Sequence, residues 1–549
     1  MMNDLYKANL ILDDIFVFDE NGDMEKSHLE VKNTPLDWDF CPNGDQEWTF
    51  MLNRFTYLDV LSRAYRESSD PVYINKGLAL IEDWIDKVKL IPSKKTRTLD
   101  TGMRIYHFIK FLTDNKIDDK NLLNKIDQSI KDQIFYLKDQ YIEKYDLSNW
   151  GLVQVIAIAI AGLYFKNDQM YEKAMEKYEE MMAIQYMDDH SIHWERCLGY
   201  HNFMVLWLLR LSEYEKACGL EISHKDQLRK IVETTLITTD LDGKELNNGD
   251  SDLTDTGFLL DYYKEIFEED IKVGSQKLFG DYGLYVEKKA GAFLASFNQN
   301  MASNHSHGDF THFTYQKDGI RILDGGRYTY TESKEREYLK LFAHNNVIVD
   351  DKSSMGYVSS WETNAYPLIN PIYYKKNRHT FVEMSYFDNS REIFSKRRMF
   401  FLENGDLIVF DQIKAKGRHR AKTNILAKGL NDENIMVNRD FSLGDDGYYS
   451  TEYNSLEPCQ KLSINEDFED TYTQCIIFGN KDEYEFTEVS RNKVDLTEDE
   501  AVAIKTKDGV IVNIFEEITN SPRVFTAGGI KFHARSAVLY GQSDIEIYK

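Results

Sequence analysis

Apolar positions change their rhythm once along this chain, near residue 275. Before that point they recur at helical spacing, as in Trp48, Leu52, Phe55, Leu58 and Leu61, and again in Val153, Ile156, Ala157, Ile160, Leu163 and Tyr164. About nine such segments run from Glu47 to Glu268, joined by short polar breaks such as Ser68-Ser-Asp-Pro and Asp188-Asp-His-Ser. Helical hairpins of this length, without an exact sequence repeat, predict an α-solenoid or a closed α/α toroid. After about Gly283 the period becomes two, with turn residues every eight to twelve positions. Leu284 and Val286, then Phe293, Ala295 and Phe297, alternate; Met399-Phe-Phe-Leu, Leu407-Ile-Val-Phe, Cys475-Ile-Ile-Phe and Val510-Ile-Val-Asn-Ile-Phe read as strands. Many short strands with few helices predict a β-sandwich. The expected organisation is therefore α+β multidomain, with a helical domain over residues 1–275 and a β-sandwich over 276–549, and a binding cleft where the two meet.

Composition narrows the function classes. A chain of 549 residues, 42% hydrophobic and 13% aromatic, is globular and too long for one core. No apolar run approaches the roughly 20 residues of a membrane span. The start lacks a basic end followed by an apolar segment, and five scattered cysteines (Cys41, Cys197, Cys218, Cys459, Cys475) show no Cys-x-x-Cys, so free thiols and a cytoplasmic location are expected. A formal charge of −26 weighs against nucleic acid and anionic membranes as partners. It leaves an anionic substrate open, because charges further apart than a Debye length of about 8 Å are largely screened. Oligomeric state leaves no trace in the sequence.

The densest chemistry lies just after the change of rhythm. His305-Ser-His307-Gly-Asp309, Asp324-Gly-Gly and His344-Asn345 gather histidines and carboxylates within a short stretch of a chain holding only 13 His. Phe313, Tyr315, Ile320 and Ile322 alternate about Asp318-Gly319, predicting a hairpin with Lys317 opposite Ile320. Extended without a bulge, that register puts His305, His307, Asp309 and Asp324 on one face and His312 on the other. Two imidazoles with a carboxylate favour zinc over a hard divalent ion. In the helical half, Ser148 or Asn149 is a plausible N-cap of an apolar helix. Tyr200-His201 follows His193-Trp-Glu195, and Asp100 and Arg104 stand at i, i+4. Gly-x-Ser-x-Gly, the Walker A loop, the dinucleotide fingerprint and His-Glu-x-x-His are all missing. With 92 acidic residues, paired carboxylates for glycoside hydrolysis stay an alternative.

Several ordered motifs resemble the heparinase II/III-like polysaccharide lyases, most closely the heparinase III branch. They begin with Asp37-Trp-Asp-Phe-Cys-Pro, Asp45-Gln-Glu-Trp48 and Asn53-Arg54, then Ala64-Tyr65, Ser69-Asp70, Tyr73 and Asp83-Trp84-Ile85. They continue through Arg97-Thr-Leu-Asp100-Thr-Gly-Met-Arg104, Ser148-Asn149, Glu195, Tyr200-His201 and Gly249-Asp250-Ser-Asp252. They close with His305-x-His307-x-Asp309, Leu323-Asp324-Gly-Gly-x-Tyr328 and Ala343-His344-Asn345. The likeness runs from about residue 8 to about residue 350 and implies an α/α toroid (an incomplete helical barrel) followed by an antiparallel β-sandwich.

The resemblance also implies β-elimination on uronate polysaccharides of the heparin or heparan sulfate type, with loss of the C5 proton and expulsion of the C4 substituent. That proton is weakly acidic, because its removal builds a dianion beside a carboxylate; donors must neutralise the carboxylate while a base and an acid serve C5 and O4. By resemblance Asn149 would neutralise the carboxylate, Tyr200 and His305 would share the acid and base roles, and His307, Asp324 and His344 would hold a structural zinc. Arg54, Arg104, Trp150, Glu195 and His201 would line the substrate site, with Arg54, Arg104 and His201 candidates to lower the Tyr200 pKa. Relatives often carry Asn-His where this chain has Asn149-Trp150, so Trp150 would stack on a sugar or pack in the toroid. A lyase for hyaluronan, chondroitin or alginate oligosaccharides, and an inactive sugar-binding relative, are the alternatives.

Overall fold

A computed structural model describes residues 3–515 and 523–549. A helix, Asp4–Leu12, and a two-stranded ribbon, Ile15–Phe18 with Ser27–Lys32, precede ten α-helices running from Gln46–Arg54 to Gly257–Phe267. The helix Asn149–Tyr164 lies among Thr98–Asp114, Asp168–Ile184 and Leu198–Ala217. Its sequence is apolar all round, and only an interior helix can bury such a surface. Each fully buried Leu, Ile or Phe here contributes roughly 1.5–3 kcal/mol of transfer free energy.

The second half is built on a 13-stranded antiparallel sheet. Its spine is two long strands, Leu407–Lys428 and Glu457–Phe478, paired from Leu407 opposite Phe478 to Ala427 opposite Gln460. Leu407 and Val409 pack on one side with Phe313, Tyr315 and Ile476, while Ile408 and Phe410 pack on the other with Ile477, Ile504, Ile511 and Val538. The second group joins the large sheet to a five-stranded sheet, which includes Ala501–Lys505, Val510–Ile514 and Ser536–Gly541. Burial on both faces explains why these strands read as unbroken apolar runs. The architecture is thus an α/α toroid followed by an antiparallel β-sandwich, as expected.

The two halves share a core. Ile192, Leu198, Ile237 and Leu246 from the helical half pack with Phe279, Leu284, Val286, Phe293 and Phe297 of the first strands. This contact brings the start of the helix carrying Tyr200 against the segment carrying His305. The five cysteines are unpaired, and no helix among the described residues is long and apolar enough to cross a membrane.

Candidate active site

A cleft of about 970 Å³ opens where the halves meet, bordered by Asn149, Glu195, Tyr200, His305, Tyr330 and Trp361. Asn149 is the first residue of its helix. Ser148 is the N-cap, its Oγ accepting from Trp150 N at 3.2 Å, so the positive end of the helix dipole faces the cleft. Gly151 makes this close start possible, since a Cβ there would lie 2.1 Å from the Tyr145 carbonyl oxygen. Asn149 Nδ2 donates to Glu195 Oε2 at 2.8 Å and its backbone N–H to Oε1 at 3.1 Å, leaving Asn149 Oδ1 without a partner. Trp150 borders the cleft and stacks on Tyr145 at 5.9 Å.

Tyr200 lies in the first turn of Leu198–Ala217, and its ring stacks on His305 with centroids 3.8 Å apart. Its hydroxyl meets Tyr330 Oη at 2.9 Å, and Arg327 Nη1 donates to Tyr330 Oη at 3.2 Å. Burial, with Tyr330 and Glu25, drives the Tyr200 phenol well above its ordinary pKa against the opposing pull of Arg327. Phenolate is therefore strongly disfavoured in the free site. His305 Nδ1 lies 3.0 Å from Asp250 Oδ2. Burial alone would raise the Asp250 carboxyl, but the Arg336 guanidinium and bonds from His305 and His307 outweigh it and hold the group well below the usual range. A charged Asp250 can only accept, so Nδ1 donates to it, and in the neutral imidazole that leaves the lone pair on Nε2. Gly249, with φ of 58°, lets this loop approach, because a Cβ would meet His305 O at 2.7 Å.

Two expected substrate-site residues, Arg104 and His201, stand away from the cleft. Arg104 is fully buried: its Nε donates to Gln133 Oε1 at 2.8 Å and Nη1 to Asn53 O at 2.7 Å, and its guanidinium sits 3.9 Å over Trp84. It stands away from the cleft, and the Asp100 carboxylate pairs with Arg54 and Arg97 instead. His201 is turned about 100° from Tyr200 around the helix; it accepts from His193 N through Nδ1, and its Nε2 lies 3.1 Å from Ile231 O. Burial pushes its pKa down to about 3, so it supplies no charge to Tyr200. Arg54 borders the cleft, but its guanidinium is engaged by Glu25 and Asp100 at 2.7 and 2.8 Å. The guanidinium nearest Tyr200's hydroxyl network is Arg327.

His312, rather than His307, joins Asp324 and His344 in a buried cluster whose three ligand atoms lie within 4.8 Å of one another. Lys317 does face Ile320, with Asp318 and Gly319 both at positive φ. The ladder ends at Tyr315–Ile322, however: Thr311 has φ of 55°, and Leu323 N turns to Leu426 O. The extrapolated face assignment fails beyond that point, and His312 Nε2 comes within 3.1 Å of Asp324 Oδ2. His307 directs Nε2 to Asp250 Oδ1 at 3.0 Å, with its ring 5.6 Å from that of His344. His307 Nδ1, His312 Nε2 and both Asp309 oxygens are buried without hydrogen-bond partners. Such orphaned donor atoms fit a metal ion.

Sequence reading assigned no role to Asp250, Tyr330, Arg336 or Trp361. Asp250 stood within a quoted motif; the others carry no local signal.

A family model described as Heparinase II/III N-terminus matches residues 9–269, and one described as Heparinase II/III-like, C-terminal matches residues 274–455. No curated protein matches the chain. Among solved structures it is similar to heparinase III (TM-score 0.73, 17% identity, 95% of this chain and 91% of that one). It is also similar to the heparan sulfate lyase HepC from Pedobacter heparinus (TM-score 0.61, 15% identity, 98% and 89%). A chondroitin AC lyase from Streptomyces coelicolor A3, solved in complex with chondroitin sulphate, shares the fold at TM-score 0.54 and 10% identity (87% and 82%). With two family models covering most of its length, and a cleft assembled from both halves, the chain belongs to the heparinase II/III family of polysaccharide lyases.

Proposed function

We propose that this lyase cleaves uronate-containing glycosaminoglycan chains or fragments of the heparan sulfate type by β-elimination. The observation that carries the reading is the convergence of Asn149, Tyr200 and His305 on one cleft, with His305 Nδ1 committed to Asp250. Asn149 would pass its Nδ2 donor from Glu195 to the uronate carboxylate, beside the positive end of the helix it opens. His305 Nε2 takes the C5 proton. Tyr200, kept protonated by its surroundings, gives its proton to the departing O4 oxygen, leaving a C4–C5 double bond.

His312, Asp324 and His344, with His307 and Asp309 beside them, would hold a zinc ion in a structural role. Its charge would compensate the buried carboxylates and fix the segment leading from His305 to His312. No proton transfer passes through it.

The test is ultraviolet absorbance of the new double bond with heparin, heparan sulfate, hyaluronan, chondroitin sulfate and alginate fragments, using Tyr200→Phe as control. A rise on heparan sulfate fragments that the variant abolishes supports the reading. A rise confined to another uronan replaces the substrate, and no rise on any member defeats the lyase reading.

A further inference from the structure

Trp361 stands out among the exposed aromatic side chains: it is 42% exposed and borders the catalytic cleft. Its ring lies 4.2 Å from that of Tyr330, and it presents an edge-to-face contact to His305 at 5.8 Å and 84°. An exposed indole beside a catalytic imidazole leaves apolar surface in water, which a ligand would cover.

The segment that carries it is pinned at the preceding residue. Ser360 O accepts from Lys340 Nζ at 2.9 Å and Arg336 Nη2 at 3.4 Å, and Ser360 N donates to Glu332 Oε1 at 2.6 Å. Glu332 also accepts from Tyr357 Oη at 2.6 Å. The same Lys340 reaches Asn304 O at 3.2 Å, next to His305, and the same Arg336 lies 2.6 Å from Asp250 Oδ1. One helix, Lys334–Phe342, therefore fixes the catalytic imidazole and the indole against each other.

We propose that Trp361 is a substrate-binding platform on which the apolar face of a sugar ring beside the scissile bond stacks, which sets that ring's distance from His305 Nε2. This rests on the lyase reading for the scissile bond, though not for the binding itself. C–H groups on one face of a pyranose meet an indole as an apolar surface, and the ring hydroxyls stay free for solvent. Lys340 and Arg336 act as positioning residues through Ser360.

The test is calorimetric titration of a heparan sulfate tetrasaccharide into the chain carrying Tyr200→Phe, with Trp361 intact, Trp361→Ala or Trp361→Tyr. A stacking contact predicts a roughly 3–10-fold loss of affinity in Trp361→Ala and recovery in Trp361→Tyr. With Tyr200 restored, KM rises by the same factor in Trp361→Ala. Equal affinity in all three overturns the platform. If the unaltered chain turns over no uronan, the lyase reading falls and the titration still decides the platform; absence of binding by every form overturns the platform and the heparan sulfate assignment together.

Discussion

His305 Nδ1 lies 3.0 Å from Asp250 Oδ2, and the other oxygen of that carboxylate faces Arg336 Nη1 at 2.6 Å and His307 Nε2 at 3.0 Å. One carboxylate thus sets the tautomer of His305 and ties it to the neighbouring histidine cluster.

Replacing Asp250 with Asn frees the tautomer and leaves Arg336 without its charge partner. Steady-state assays should show kcat lower by about 10²–10⁴-fold, the range of a general acid–base contribution. Thermal melting should show destabilisation of about 3–5 kcal/mol, as expected when one member of a buried ion pair is removed. A change in KM alone would contradict the assignment.

Tyr200→Phe keeps the ring stacked on His305 and removes only the hydroxyl that meets Tyr330. The melting temperature should move by no more than the loss of one hydrogen bond, about 1 kcal/mol, while kcat falls at least about 10²-fold.

Arg104→Met should separate stability from binding. The guanidinium holds Gln133 and the Asn53 carbonyl inside the toroid and touches nothing in the cleft. Unfolding free energy should fall by about 1–3 kcal/mol from the groups left unsatisfied, with KM unchanged. A large rise in KM would return Arg104 to the substrate site.

The cluster of His312, Asp324 and His344 gives a composition to measure. Elemental analysis of chain purified without added metal should find close to one zinc per chain, lost in His344→Ala and in His312→Ala. Chelation should lower the melting temperature of the unaltered chain and leave those variants unmoved. Full zinc in His312→Ala would place the ion on His307 instead.

Glu245 supplies a pH signature outside the catalytic groups. Burial raises its carboxyl from the ordinary 4.5 to about 8, although Asn202 Nδ2 donates to it at 2.6 Å. The folded chain keeps a proton here that the unfolded chain releases above about pH 4.5. Stability from this group is therefore full below that value and declines as the pH rises toward 8, by a few kcal/mol. Glu245→Gln should flatten that decline in melting scans from pH 5 to 8; parallel curves for the two forms would refute the shift.

What the sequence determined was local. Spacing of 3.6 and of two separates the helical and strand halves, since each residue needs only near neighbours to show which face it buries. The same holds for a helix cap at Ser148 or Asn149, which the structure gives to Ser148, and for Lys317 facing Ile320 across Asp318-Gly319. Asn149, Tyr200 and His305 were legible because they stand in quoted motifs that resemble the family.

The tertiary structure decided what those residues touch. Tyr200 and His201 are adjacent in sequence, yet one faces the cleft and the other the helix Lys225–Thr238, according to how Leu198–Ala217 packs. His312 enters the cluster because strand pairing stops at Ile322 and Thr311 turns the chain, which no alternation rule foresees. Asp250, Tyr330 and Trp361 join the site across gaps of 55, 130 and 56 residues from His305, Tyr200 and His305 respectively. Packing between the helical and β halves closes those distances. Periodicity within one segment does not specify which segment it will meet, so the cleft's full lining became visible only once both cores had come together.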